Sequence, residues 1–258
     1  MSGWINAEDR KEKTMRRITV VLLMIILLGM IPAAHAGKEG PMKYDSHFET
    51  VAFGRYEQDN NPDNGPEPIQ WIVLEEQEGK RLLYAKDLLD KHRYNETYGS
   101  ITWAESDLRA WLNNEFFQAA FTEEEQAAIL LIDVDNSAAQ CHPKYQATGG
   151  ADTQDKVFLI SYAEAAKYFE DNESRRAAPT DYAIAQGVKA NNYYEIDGRK
   201  CGMWWLRSPG EKQYRVSMSY FSGILNYSYA TKDVVGIRPM LWVDTGMLPE
   251  EKNEKPDQ

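Results

Sequence analysis

The C-terminal part of the chain places two aromatic stretches on either side of a segment rich in tyrosine and serine. The first stretch covers residues 202–210 and contains Trp204 and Trp205, and the second covers residues 235–242. Short apolar runs separated by turn residues are typical of strands. The pattern predicts strands at residues 203–207, 214–220, 224–229 and 234–243. An ending of this kind favours the display of side chains over a chemical reaction.

The preceding sequence divides into a β part and a helical part. Alternation predicts strands at residues 48–56, 69–76 and 81–85, with a turn at residues 78–79 and a further strand at 157–160. A hydroxyl residue followed three positions later by glutamate is the capping-box pattern of a helix start, and it occurs at Thr102, Thr122 and Ser161. A fourth helix is predicted from Thr180 to Gln186, before Gly187. Strands, helices and strands in this order predict one α+β domain over residues 47–247.

The N-terminus has the three regions of a secretory signal peptide. Arg16 and Arg17 precede an apolar run at residues 18–31, and Ala34 and Ala36 form a small-residue cleavage pattern. The alternative is a membrane anchor, but the run is shorter than the roughly 20 residues that a span needs. The prediction is a signal peptide over residues 1–36, a polar leader over 37–46 and a disordered charged tail over 248–258. The mature protein would be exported to the cell exterior or envelope, or to the periplasm of a Gram-negative host, without a stable membrane span.

The charge of the chain argues against one class of partner. It carries 29 Lys and Arg against 40 Asp and Glu, a formal charge of −11. Nucleic-acid binding depends on clustered basic residues that neutralise phosphates, so we expect no nucleic-acid partner.

Two cysteines, Cys141 and Cys201, are present. In an exported protein two thiols usually pair, which predicts a disulfide between them. The alternative is two unrelated thiols, because two cysteines permit one pairing without requiring it.

The usual catalytic signatures are missing from the sequence, including the nucleophile-elbow, zinc-protease and phosphate-loop motifs. Two segments, residues 133–136 and 152–155, place carboxylates and amides together as Ca²⁺ requires, although turns formed by these side chains are the favoured interpretation. We therefore predict no cofactor, with calcium as the alternative. Arg207 and Arg238 lie inside predicted strands, where a buried structural role is favoured over anion binding.

The hairpin at residues 214–229 is the candidate binding surface. Tyrosine supplies a large contact area at low entropy cost and serine and asparagine supply adaptable hydrogen bonds, as in antibody paratopes. The alternative is an ordinary half-buried hairpin. The predicted ligand-binding residues are Tyr214, Arg215, Ser217, Ser219, Phe221, Asn226, Tyr227 and Tyr229.

Six segments together resemble an uncharacterised bacterial family, domain-of-unknown-function family 6273. They are residues 53–59 (FGRYEQD), 69–74 (IQWIVL), 108–113 (LRAWLN), 152–161 (DTQDKVFLIS), 204–210 (WWLRSPG) and 236–239 (GIRP). The ending also resembles the C-type-lectin-like fold of relatives of the formylglycine-generating enzyme (the sulfatase-modifying-factor-like fold), which implies short twisted sheets with several capped helices. Those enzymes use paired cysteines near this segment, and Cys201 has no close partner in the sequence, so their oxidation chemistry is not carried over.

Three functions follow as hypotheses. The first is an exported, non-enzymatic binding or surface-interaction module for an unknown protein or glycan. The second is an enzyme acting on glycans or cell-wall material with carboxylates such as Asp152 and Asp155, which requires two carboxylates to converge in a cleft. The third is a structural component of the cell envelope, which would present an exposed apolar patch.

Overall fold

The computed structural model describes residues 48–247. The predicted signal peptide, polar leader and charged tail lie outside these residues. Within them, no helix combines the length and the apolar character needed to cross a membrane.

The described chain is a mixed α+β structure, which confirms the predicted class. Its helices are α1 (Asp107–Trp111), which continues through a π-helical segment (Leu112–Phe116) into α2 (Phe117–Ala120), then α3 (Glu123–Ala128), α4 (Tyr162–Tyr168) and α5 (Asp181–Gln186). Its strands are β1 (Thr50–Tyr56), β2 (Glu67–Gln77), β3 (Lys80–Ala85), β4 (Asp90–Lys91), β5 (Ile132–Val134), β6 (Thr153–Asp155), β7 (Phe158–Leu159), β8 (Ala190–Ile196), β9 (Arg199–Gly202), β10 (Trp204–Pro209), β11 (Arg215–Ser219), β12 (Leu225–Tyr229), β13 (Gly236–Ile237) and β14 (Pro239–Asp244).

Two five-stranded sheets organise the fold. The first has the order β1-β2-β3-β14-β7, and the second has the order β12-β11-β10-β13-β4. Two smaller sheets pair β5 with β6 and β8 with β9. The predicted strand at residues 234–243 is therefore two strands, because the chain leaves the second sheet after Ile237 and enters the first sheet at Pro239.

Helix starts follow the capping pattern in two of the three predicted cases. The Thr122 and Ser161 hydroxyls each accept from the backbone amide of the glutamate three residues later. The carboxylate of that glutamate accepts from the backbone amide of the Thr122 or Ser161 residue itself. Thr102 precedes only a short 3₁₀ turn, and its hydroxyl bonds the Glu105 carboxylate at 2.9 Å instead of the backbone. Ser106 caps α1 in its place. The fourth helix ends as predicted, with Gly187 in the left-handed conformation at φ 109°.

The core lies along both sheets and is unusually aromatic. Trp71, Trp103, Trp204 and Trp205 are fully buried. Their indole nitrogens form hydrogen bonds inside the core. Trp71 donates to the Phe53 carbonyl at 2.7 Å, and Trp205 donates to the His92 carbonyl at 3.0 Å. Trp204 and Trp205 therefore support the C-terminal hairpin from inside and present no ring to a ligand.

Candidate ligand-binding surface

A series of aromatic side chains crosses the edge of the second sheet in two groups that Arg215 bridges. We call it the aromatic row. At one end Tyr214 and Tyr229 stack at 6.0 Å between ring centroids with an angle of 15°, and Tyr98 lies 5.5 Å from Tyr214 and 5.9 Å from Tyr229. Tyr98 is 65% exposed and Tyr229 is 46% exposed. This end of the row therefore presents ring faces to solvent.

The other end of the row is built from a loop and a helix start. Tyr145 meets Tyr227 edge to face at 5.5 Å and stacks on His142 at 3.9 Å with an angle of 14°. His142 in turn lies 4.7 Å from Tyr162. The aromatic row thus comprises Tyr98, Tyr214, Tyr229, Tyr227, Tyr145, His142 and Tyr162.

Arg215 lies between the two groups of rings in the aromatic row and contacts both. Its guanidinium carbon lies 5.0 Å from the ring centroids of both Tyr227 and Tyr229. A cation over an aromatic face is attracted by the ring quadrupole, and Arg also stacks its planar group on such rings. Glu211 adds a carboxylate 3.7 Å from Arg215 and accepts from the Tyr227 hydroxyl at 2.9 Å. The row is therefore held in a defined arrangement before any ligand arrives.

The strand register places these residues on one face. Arg215 pairs with Tyr229 across β11 and β12, and Ser217 pairs with Tyr227, so side chains of directly opposed residues share a face. The end of β10 packs against this face: a side chain at Gly210 would meet the Cβ of Tyr227 at 2.7 Å and that of Arg215 at 3.0 Å. Only glycine permits this close approach.

Three members of the aromatic row, Tyr227, Tyr145 and His142, have shifted pKa values. The hydrogen bond to the Glu211 carboxylate raises the pKa of Tyr227. Burial raises the pKa of Tyr145. Burial also lowers the pKa of His142, and the nearby Lys144 lowers it further. Each of these three shifts favours the uncharged form of the side chain, the phenol for Tyr227 and Tyr145 and the neutral imidazole for His142.

A groove opens beside the aromatic row. It has a cavity volume of about 380 Å³ and is lined by residues 144–147 and 211–213. Gln213 forms one wall of the groove. Its side-chain amide donates to the Ile101 and Thr148 carbonyls at 2.9 Å each, and these bonds hold it in place. Tyr145 and Glu211 belong both to the groove and to the contacts that hold the row. The two features therefore form one continuous surface.

Four of the predicted binding residues come together in this surface, and two do not. Tyr214, Arg215, Tyr227 and Tyr229 lie in or join the row. Ser217 and Ser219 are fully buried, so their prediction as display residues was wrong. The Ser217 hydroxyl donates to the Pro209 carbonyl at 2.7 Å and the Ser219 hydroxyl to the Tyr220 carbonyl at 3.2 Å.

The last two predicted binding residues are half-buried beside the row. Phe221 packs against the hydrophobic core, and the Asn226 side chain accepts from the Tyr227 amide at 2.8 Å. Sequence reasoning missed Tyr98, His142, Tyr145 and Tyr162. These residues lie far from the hairpin in sequence, and their own neighbours carry no repeating pattern that would link them to it.

The two cysteines do not pair in the structure. Cys141 and Cys201 are both free and buried, so the predicted disulfide is not confirmed. Cys141 ends a 3₁₀ turn, where its thiol lies 3.6 Å from the Ser137 carbonyl, whereas Cys201 lies on β9. Burial raises the pKa of Cys141, and it raises the pKa of Cys201 to about 11. Both shifts favour the protonated thiol over the reactive thiolate at neutral pH.

The candidate acidic segments have structural partners. Asp155 is fully buried and accepts hydrogen bonds from Arg109 at 2.6 Å, Trp103 at 2.9 Å and Thr153 at 2.7 Å. Asp152 accepts from the Asn136 amide at 2.8 Å. These contacts join the two segments and occupy their carboxylates.

A different group of carboxylates lies close together where the loop after β1 meets the start of β2. Oxygens of Glu57, Asp59 and Glu67 lie within 4.8 Å of one another. Loop amides already bind them: Gln58 donates to Glu67 at 2.7 Å and Asn61 to Asp59 at 2.8 Å. Asp59 is exposed and Glu57 and Glu67 are half-buried, and their hydrogen bonds to loop amides stabilise this loop.

The two strand arginines are buried in different environments. Arg207 bonds both carboxylate oxygens of Glu164 and also the Leu159 and Asp135 carbonyls. Arg238 donates its Nε to the Ala85 carbonyl at 2.8 Å, and its two Nη atoms find no hydrogen-bond acceptor within the described residues. Its guanidinium carbon lies 4.2 Å from the Tyr84 ring centroid and 5.5 Å from that of Trp204. Both arginines are buried and have structural partners in the core, in agreement with the structural role predicted from the sequence.

Together the fold and this surface define an α+β domain that presents aromatic side chains and an adjoining polar groove at the edge of a sheet. The chain belongs to the family DUF6273, a domain of unknown function, whose match covers residues 78–245 and thus more than half of the chain. The family resemblance is therefore confirmed, while the C-type-lectin-like part and the bacterial origin stay predictions. No curated protein and no solved structure matches the chain.

Proposed function

We propose that this protein is an exported, non-enzymatic binding module that captures its ligand with the aromatic row. The observation that carries the proposal is the arrangement of the row: rings from residues 98, 142–145, 162 and 214–229 form two groups that Arg215 bridges, although they come from separate parts of the chain. A row needed only for folding would be covered by other side chains, yet Tyr98 and Tyr229 are exposed.

The chemistry of the row suits binding better than catalysis. Tyrosine rings offer apolar faces and a polar hydroxyl, which is why they are enriched at interfaces. Arg215 and Glu211 fix the rings, so little conformational entropy is lost when a ligand binds. The carboxylates first considered for an enzyme, Asp152 and Asp155, are occupied by structural hydrogen bonds, and they do not support the glycan-hydrolase hypothesis.

The experiment uses two row variants and one matched control. Tyr98→Ala and Tyr229→Ala each remove an exposed ring of the row, and Tyr193→Ala removes a ring that is 89% exposed on the separate β8–β9 hairpin. The mature chain and the three variants are measured against immobilised panels of oligosaccharides and short peptides.

We expect each row variant to weaken retention of the bound panel members by about 1 to 2 kcal/mol, or about five- to thirtyfold. Unfolding free energies of all three variants should stay within about 0.5 kcal/mol of the wild type, as for surface changes. Tyr193→Ala should bind as the wild type does. Retention that is equally strong in the row variants, or a wild type that retains nothing on either panel, would contradict the proposal.

A further inference from the structure

The groove beside the aromatic row carries two lysines that lack a carboxylate partner. Lys144 and Lys212 are both exposed and line opposite segments of the groove, and among residues 48–247 neither forms an ion pair. The one carboxylate of the groove, Glu211, is already engaged by Arg215 and by the Tyr227 hydroxyl. The groove therefore has a local excess of positive charge.

The local positive charge of the groove is opposite in sign to the formal charge of the whole chain, which is −11. Exposed charges interact over only about 8 Å at physiological ionic strength, so the lysines act on groups in direct contact. A long polyanion would meet the acidic surface elsewhere and be repelled. The arrangement favours a ligand that places isolated acidic groups inside the groove.

The remaining lining indicates what carries those acidic groups. Tyr145 supplies a ring wall, the Gln146 amide is exposed, and residues 144–147 and 211–213 contain no Val, Leu, Ile or Phe. A peptide held by side-chain anchors needs apolar pockets, and this lining offers none. A sugar ring has a face of polarised C–H bonds, which suits the negative face of an aromatic ring, and a rim of hydroxyls, which suits amide and ammonium groups.

From these observations we infer that the groove binds an acidic oligosaccharide, with a sugar carboxylate on Lys144 and Lys212 and a neighbouring sugar ring against Tyr145. The inference rests on the proposed binding function and names its ligand class. The volume of about 380 Å³ lies within the range of small-ligand sites. The exposed tyrosines of the aromatic row extend the contact beyond the groove.

The test compares matched ligands and matched variants. The ligands are oligosaccharides that carry a single galacturonic, glucuronic or mannuronic acid among neutral sugars, each paired with its carboxyl-reduced form, together with a short-peptide panel. The variants are the double change Lys144→Gln and Lys212→Gln, the control Lys189→Gln, an exposed lysine before β8, and Tyr229→Ala. Affinities are measured by calorimetry with the mature chain.

We expect at least one uronic-acid oligosaccharide to bind and its carboxyl-reduced form to bind about tenfold more weakly, as for the loss of charge-assisted contacts at a partly exposed site. The double lysine variant should lose the same factor and no longer distinguish the two forms, whereas Lys189→Gln should be unchanged. Tyr229→Ala should weaken both forms equally.

The outcomes separate this inference from the proposed function. Equal binding of acidic and reduced sugars, binding of peptides alone, or an unaltered double lysine variant would overturn the acidic-glycan inference while the role of the row stands. If Tyr229→Ala leaves every interaction intact, or if no ligand binds the wild type, both fail.

Discussion

The same substitution should have very different effects on stability at the two buried arginines. Arg207 is 2% exposed and Arg238 is fully buried, so solvent screening is similar for both. Methionine keeps a flexible apolar stem of comparable shape in each position. We expect Arg207→Met to be strongly destabilising and Arg238→Met to be nearly neutral.

The magnitudes follow from the partners of each guanidinium. Arg207→Met leaves Glu164 with its side chain 23% exposed and without its ion-pair partner, and breaking a buried pair costs about 3 to 5 kcal/mol. Because Glu164 retains some contact with water and still caps α4, the expected loss lies near the lower end, about 3 kcal/mol.

Arg238→Met removes one hydrogen bond, worth about 1 kcal/mol, and cation–π contacts worth about 2 kcal/mol. It also removes a buried charge that has no carboxylate partner in the described chain, whose desolvation costs several kcal/mol. These terms offset one another, so the free energy of unfolding should change by less than about 1 kcal/mol.

Urea unfolding followed by tryptophan fluorescence measures both variants, provided that the m-value stays constant. Glu164→Gln serves as a control, because it should destabilise the wild type more than it destabilises Arg207→Met. A loss of 3 kcal/mol or more in Arg238→Met, equal to that of Arg207→Met, would refute the reasoning about unpaired charge.

Three further predictions concern the caps, the thiols and a tight turn. Thr122→Ala should cost about 1 kcal/mol of unfolding free energy because it removes a helix cap, whereas Thr102→Ala, which removes no backbone cap, should cost less than half of that in the same urea assay. At pH 8, Cys141 and Cys201 should react slowly with a thiol reagent in the native protein and both should react quickly in denaturant without reductant. Burial raises the folded pKa of Cys201 to about 11. The neutral thiol therefore contributes its full stabilisation at a pH below the unfolded thiol pKa, and this stabilisation is lost as the pH rises towards 11. The melting temperature should fall between pH 9 and 11, and a constant melting temperature would contradict this. Gly223→Ala should destabilise by more than about 2 kcal/mol, since Gly223 has φ 83° and a Cβ there would lie 1.6 Å from the Asn172 carbonyl oxygen; a circular-dichroism melt equal to the wild type would count against it.

Much of the framework could be predicted because its signals are local. Alternation located β1 to β3 and the C-terminal hairpin, and the pattern of hydroxyl and glutamate located α3 and α4. The same pattern failed at Thr102, where Ser106 competes four positions later and its hydroxyl accepts from the Arg109 amide at 3.2 Å. The strands β5, β6, β8 and β9 were missed because they are short or polar and acquire their pairing only from distant partners.

The binding surface could be predicted only in part for the same reason. The hairpin tyrosines are visible in the composition of one segment, but Tyr98 and Tyr145 join them through contacts across more than 80 residues of chain. Ser217 was assigned to the display face by strand alternation, and its face is correct. It is buried because the end of β10 packs against that face, and alternation contains no information about such a covering segment.

The positions of the last two strands determine when this fold can close. β14 lies between β3 and β7, and β13 lies between β10 and β4, so the final strands of the described chain are interior members of both large sheets. Until residues 236–244 have left the ribosome, the strands on either side of them have no partner along the joining edges. Pairings between ends so distant in sequence form slowly. The chain therefore commits to its native topology only after residues 236–244 are available for pairing, and removal of this single short segment would open both sheets at once.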